Sequence, residues 1–197
     1  VTVDTPEAKA GLQALVDAYG DGTITKASTG ATGEETLQAF TNEESAYAVN
    51  WPYMFDAAED TPVAGNFEVT PLVGPDGVGV STLGGYNNGI NANSENKATA
   101  RDFIEYIISE ESQMSFAEQS FPPVLASIYD DEELVEQFPY LPALKESLEN
   151  AQPRTVSPYY AAMSKAIQDN AYAAINGDKD VDQAINDMEA ALEQAGR

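Results

Sequence analysis

A lone tryptophan and a tyrosine stand two residues apart in the run Trp51, Pro52, Tyr53. The preceding segment, Ala46 to Trp51, reads as a buried strand, which Pro52 should stop because it has no N–H to donate. In open α/β sheets ligands gather at the carboxyl ends of strands. Aromatic rings there offer a large flat face with a polar tip, suited to the C–H face of a sugar ring. The plainer alternative is that Trp51 belongs to the core. A second candidate is the loop Gly84, Gly85, Tyr86, Asn87, Asn88. Its glycines would let backbone N–H groups approach a ligand, and its amides can donate to and accept from hydroxyls; alternatively it is a simple turn. It lacks the GxGxxG spacing of a dinucleotide site. The third candidate is Arg154, one of nine basic residues, in a loop bounded by Pro153 and Pro158. Its planar guanidinium could grip paired hydroxyls or a carboxylate, or could serve only as an ion-pair partner for one of the many acids.

Other chemistries are excluded by what the sequence omits. With no histidine and no cysteine among 197 residues, there is no imidazole base, no thiolate nucleophile, no Cys/His zinc site and no disulfide. The 33 acidic side chains against 9 basic ones give a net charge of −24, which repels phosphate backbones and argues against a nucleic-acid partner. The acids fall in short runs (Glu34 and Glu35, Glu43 and Glu44, Glu110 and Glu111, Asp130 to Glu133). Such runs suit the first turns of helices, where carboxylates complement the dipole. Asp130 to Glu133 lacks the glycine and closing glutamate of a calcium loop, and no two acids are singled out as a glycosidase pair. No metal, cofactor or catalytic residue is therefore expected.

These candidates need elements to position them. Thr5 and Pro6 start a helix with Ala8, Leu12, Leu15, Val16 and Tyr19 on its apolar spacing. Thr32 to Glu35 forms a capping box ahead of Leu37 and Phe40. Phe67 to Val73 reads as a strand, with a turn at Gly74 to Gly77 and a return strand from Val78 to Leu83. Ser94 is expected to cap a helix carrying Ala100, Phe103, Ile104, Ile107 and Ile108. A short helix follows around Met114 and Ala117, and Phe121 to Pro123 breaks the chain. Further helices are expected at Asp130 to Phe138, Leu141 to Asn150 and Pro158 to about Asn176, the last with Tyr160, Met163, Ile167, Ala171 and Ala174 on one face. Asp180 to Gln183 caps a final stripe of Val181, Ile185, Met188 and Leu192. About seven helices with three or four strands are too few strands for a self-contained doubly wound sheet. Either the chain is an α+β domain, or some sheet strands lie in a part outside this sequence. No window approaches a membrane span. The start at Val1 is read as that of a processed or trimmed chain, with any anchor N-terminal to it.

An ordered series of segments resembles the second half of the family 1 extracellular solute-binding proteins, the sugar receptors of ABC importers, and within them the maltose/trehalose type. The series runs Asp4 to Leu12, Ala39 and Phe40, Ala48 to Tyr53, Leu83 to Ser94, Lys97 to Tyr106, Phe121 to Val124, Ile128 to Asp131 and Pro153 to Tyr160. The resemblance implies a partial, helix-rich α/β fold of the periplasmic-binding-protein-like type II class. Residues 1–78 and 123–197 would belong to the C-terminal lobe and 79–122 to a segment of the N-terminal lobe. It implies that Trp51, Tyr53, Gly84, Gly85, Tyr86 and Arg154 line the sugar cleft. Relatives often carry tryptophan where this chain has Tyr86. The implied function is capture of an oligo- or disaccharide, without catalysis, for delivery to the permease subunits. The setting would be extracellular, cell-surface or periplasmic, as in a lipoprotein. A carbohydrate-active enzyme domain and an acidic interaction domain without a small-molecule site are the alternatives.

Overall fold

Residues 2–196 are described by a computed structural model. The chain runs α1 (Pro6–Asp21), a 3-10 turn (Lys26–Thr29), α2 (Gly33–Thr41), α3 (Met54–Ala58), β1 (Val73–Gly74), β2 (Gly77–Val78), β3 (Thr82–Leu83), α4 (Lys97–Ile107), α5 (Glu110–Ala117), a second 3-10 turn (Ala126–Asp130), α6 (Glu132–Gln137), α7 (Leu141–Glu149), β4 (Gln152–Pro153), α8 (Tyr160–Ile175) and α9 (Val181–Ala195). The residues divide into two units, Val1–Ala31 with Thr155–Arg197, and Thr32–Arg154.

The first unit contains α1, α8 and α9, which pack on one another. The Thr5 hydroxyl accepts from the Ala8 N–H at 3.2 Å, with Pro6 opening α1. Asp180 likewise accepts from the Gln183 N–H at 2.8 Å at the start of α9. Each satisfies a backbone donor that helix geometry leaves unpaired. Leu12 of α1 is buried with Ala174, Ala184 and Ile185, while Met163, Ala166, Met188 and Leu192 form a neighbouring cluster. The buried line of α8 is Met163, Ala166, Asn170 and Ala174; it keeps Met163 and Ala174 of the expected stripe, with Ala171 packed beside it, but Ile167 is exposed. Small alanines on this line let α8 lie close to its neighbours. Asn170 is tolerated there because both ends of its amide are bonded. It donates to the Ala166 carbonyl at 2.9 Å and accepts from Lys179 Nζ at 2.7 Å, while that ammonium also bonds Asp187 at 2.7 Å.

Glu189 of α9 ties down the start of the chain. Its carboxylate accepts from the backbone N–H of Val3 at 2.6 Å and of Asp4 at 3.3 Å. The Val3 bond is the main reason its carboxyl titrates below the ordinary range. A depressed folded value means the tie is intact above the unfolded carboxyl pKa and is lost as pH falls through the folded one. Amide exchange at Val3 and Asp4 is therefore expected to lose protection on acidification, and Glu189→Gln should remove that pH dependence. Protection that is the same on both sides of the carboxylate range would contradict the tie.

In the second unit the core is Ala117, Ile128, Tyr129, Leu134, Phe138, Tyr140 and Leu141, with Phe55 and Met114 packed against it. A chain of ring contacts extends it: Phe138 to Tyr140 at 6.2 Å, Tyr140 to Phe55 at 4.9 Å, Phe55 to Phe67 at 5.5 Å and Phe67 to Phe40 at 5.9 Å. The Tyr129 hydroxyl donates to the Pro123 carbonyl at 2.8 Å, and burial pushes that phenol up to about 12. The Thr32/Glu35 capping box is present in both directions, at 3.3 and 2.7 Å. Three residues past the end of α5, Ser120 takes a φ of 55°, the left-handed turn that helix ends favour.

Several elements differ from expectation. Ala46 to Trp51 is neither buried nor paired: Tyr47 is 91% and Val49 72% exposed, and no ladder forms there among the described residues. Its alternating pattern survives, with Ala48 and Asn50 half-buried, but a strand needs a neighbour's N–H and C=O groups. The expected Phe67 to Leu83 hairpin shrinks to the β1–β2 pair, with Val73 opposite Val78 and Gly74 opposite Gly77. α4 begins at Lys97 instead of after Ser94, whose hydroxyl accepts from the Asn96 N–H at 3.1 Å and so shapes the approach to the helix. α3, directly after Trp51 to Tyr53, went unread in the sequence because it is only five residues long. The pair β3–β4 also went unread. It is parallel, with Thr82 opposite Gln152 and Leu83 opposite Pro153, and the Gln152 N–H donates to the Ser81 carbonyl at 2.9 Å.

Candidate functional site

The β3–β4 pair sets the site. Two residues of each strand pair in register, so Gly84 and Arg154 are the next residues beyond the same carboxyl end. Parallel neighbours lie about 4.8 Å apart, which brings the glycine loop and the arginine loop out side by side. Pro153 can close this ladder because it keeps its carbonyl and lacks only a donor.

Trp51 reaches the same place from a third segment. A Cβ built on Gly84 would sit 2.9 Å from Cη2 and 3.3 Å from Cζ3 of the indole. The benzo ring therefore rests against a backbone that only glycine leaves open. Trp51 is 61% exposed and belongs to none of the core clusters. The core reading of this tryptophan thus gives way to an exposed platform. Its backbone is held by Asn50, whose side-chain oxygen accepts from the Trp51 N–H at 2.8 Å, while its side-chain nitrogen donates to the Gly33 carbonyl at 2.8 Å.

Tyr53 is half-buried, and its hydroxyl lies 3.4 Å from where a Cβ on Gly33 would be. Its phenol therefore points toward the start of α2. Gly85 and Tyr86 follow Gly84 in the exposed loop, with the Tyr86 ring fully in solvent. Arg154 is exposed as well. Trp51, Gly84, Gly85 and Arg154 are thus brought to one end of the β3–β4 pair, Tyr53 stands two residues from Trp51, and Tyr86 extends outward two residues beyond Gly84. The site is an open rim. The surface hollows at residues 72–80 and between Tyr129 and Glu149 include none of the six.

Chemically, the rim offers an indole face, phenols, a guanidinium and glycine backbone amides. Together these can stack on a ring and bond its hydroxyls. No cluster of three Asp or Glu side chains poised for a metal occurs among the described residues. Sequence reasoning missed Asn50 and Gly33. The available signal was an amide directly before the tryptophan and a glycine at the first helical position after Thr32.

Residues 1–143 match the family described as bacterial extracellular solute-binding protein. The chain is 31% identical, over 98% of its length, to a protein of Deinococcus radiodurans named "Probable ABC transporter-binding protein", of which it covers 47%. It also superimposes on the structure of maltose-bound T. maritima MalE3 with a TM-score of 0.85 and 30% identity, over 98% of this chain and 51% of that one. The chain thus spans about half the length of these relatives, and its fold is that of a helix-rich part of such a binding protein, as the sequence resemblance implied.

Proposed function

The chain belongs to the bacterial extracellular solute-binding proteins, and from that premise we propose that it carries one wall of a sugar-binding cleft in the receptor of an ABC importer. The observation that carries this reading is the Trp51 indole resting on Gly84, at the strand end shared with Arg154. Sugar C–H faces stack on Trp51, with Tyr53 and Tyr86 as further aromatic surface. Arg154 and the Gly84–Gly85 amides bond ring hydroxyls. The maltose in the similar structure makes an α-linked disaccharide the first ligand to try. The role is capture, not turnover, with the loaded receptor handing sugar to permease subunits outside the cell or in the periplasm. No described helix is long and apolar enough to cross a membrane.

An open rim suits a cleft with a second wall. In this reading the chain crosses into the other lobe of the longer protein within residues 79–122, while α5, whose Met114 and Ala117 pack with Phe55 and Leu141, stays with the lobe that holds Trp51. Support comes from α4, which has no buried residue and turns Phe103 and Tyr106 to solvent. A lobe supplied by the remaining half of the protein would cover such a face.

The test is calorimetry of the full-length protein with maltose and a panel of other mono- and disaccharides, alongside an assay for released monosaccharide. Saturable binding without product is expected. Arg154→Ala should weaken it by about tenfold, ~1.4 kcal/mol. Product release would mark an enzyme, and silence across the panel would mark an interaction domain.

A further inference from the structure

We propose that Asn50 is a positioning residue for ligand capture, orienting the Trp51 indole through a two-ended amide clamp to α2. This inference rests on the reading of Trp51 as the sugar platform. An indole this exposed has few packing neighbours to select its rotamer. Two contacts set its place instead, one on the backbone it hangs from and one under the ring. On the backbone side, the Asn50 amide uses both ends: its oxygen takes the Trp51 N–H, and its nitrogen gives to the Gly33 carbonyl seventeen residues away, each at 2.8 Å. On the ring side, Gly84 supplies the floor.

Only a short amide fits this role. Aspartate keeps the acceptor but has nothing to donate to the Gly33 carbonyl, and alanine keeps neither. The far anchor is firm, because Gly33 directly follows Thr32, whose capping box with Glu35 fixes the first turn of α2. Gly33 is also the gap that admits the clamp. A Cβ there would lie 3.3 Å from the Asn50 oxygen and 3.4 Å from the Tyr53 hydroxyl, crowding both. The clamp thus ties the Trp51 backbone to the helix start that Tyr53 also faces and holds the platform ready before ligand arrives, which lowers the ordering cost of binding.

The experiment is a double-mutant cycle in the full-length protein, with maltose as probe. Asn50→Ala and Asn50→Asp should each raise the maltose Kd by about tenfold. Neither should raise it further in a Trp51→Ala background. Near-UV circular dichroism, taken as the difference from Trp51→Phe, should show the indole band weakened in Asn50→Ala without ligand. Equal losses with and without Trp51 would make Asn50 a general structural residue and overturn the proposal, as would wild-type binding by Asn50→Asp. If Trp51→Ala alone leaves affinity unchanged, the platform reading fails. The clamp itself is then judged by the indole band, and an unaltered band overturns it.

Discussion

Trp51→Ala is expected to weaken maltose binding by the full-length protein by about thirtyfold, ~2 kcal/mol, the range of an interface hot spot. The reasoning is geometric. The indole supplies the largest flat apolar face on the rim, and its removal leaves only open backbone at Gly84. Stability should barely change, because the side chain is mostly solvated and joins no core cluster. Titration calorimetry beside a thermal melt separates the two quantities. An unaltered Kd would remove Trp51 from the site, and a large fall in melting temperature would show that the ring supports the fold after all. Gly84→Ala should act in the same direction through the ring, since its new methyl would displace the indole from its seat.

The largest stability effect should come from Leu141→Ala. Leu141 opens α7 with its side chain fully enclosed, at 0% exposure, in the cluster with Tyr129, Phe138 and Tyr140. Truncating it leaves a cavity in addition to the lost transfer energy, about 3 kcal/mol in comparable cores. Against a total stability of roughly 5–15 kcal/mol, that is a heavy loss. Urea denaturation followed by circular dichroism would report it as a lower midpoint at constant slope. A shift below ~1 kcal/mol would mean that the neighbouring rings close over the gap.

Helices were legible in the sequence where a cap and an apolar stripe coincided. Thr5, Thr32 and Asp180 each accept the bond their positions predict. Strands were legible only as alternation. Whether Ala46 to Trp51 pairs depends on another segment being beside it, which no local pattern encodes. The β3–β4 pairing unites residues 82–83 with 152–153, too distant for a spacing argument, and the two-residue elements are too short to leave a periodic trace. The aromatic and arginine members of the candidate site are readable as residue types, and the family resemblance groups them. The Asn50 clamp was not readable, because its evidence is a bond to Gly33 across seventeen residues. On α8 the apolar pattern misplaces only the middle of the stripe: Ala166 and Asn170 face inward while Ile167 does not, because volume, not hydrophobicity, decides which face a close neighbour accepts.

The three-helix unit joins α1 to α8 and α9 from opposite ends of the chain, with residues 32–154 inserted between. Synthesis delivers α1 first, and on the order of ten seconds pass before its partners leave the ribosome. Until then Leu12 has no cavity to fill, and a lone helix of this length is marginal in water. Assembly of that unit is therefore a late event, gated by the arrival of the final helix. A nonsense codon between the arginine loop and the start of α8 at Tyr160 would deprive α1 of both docking partners and leave it frayed.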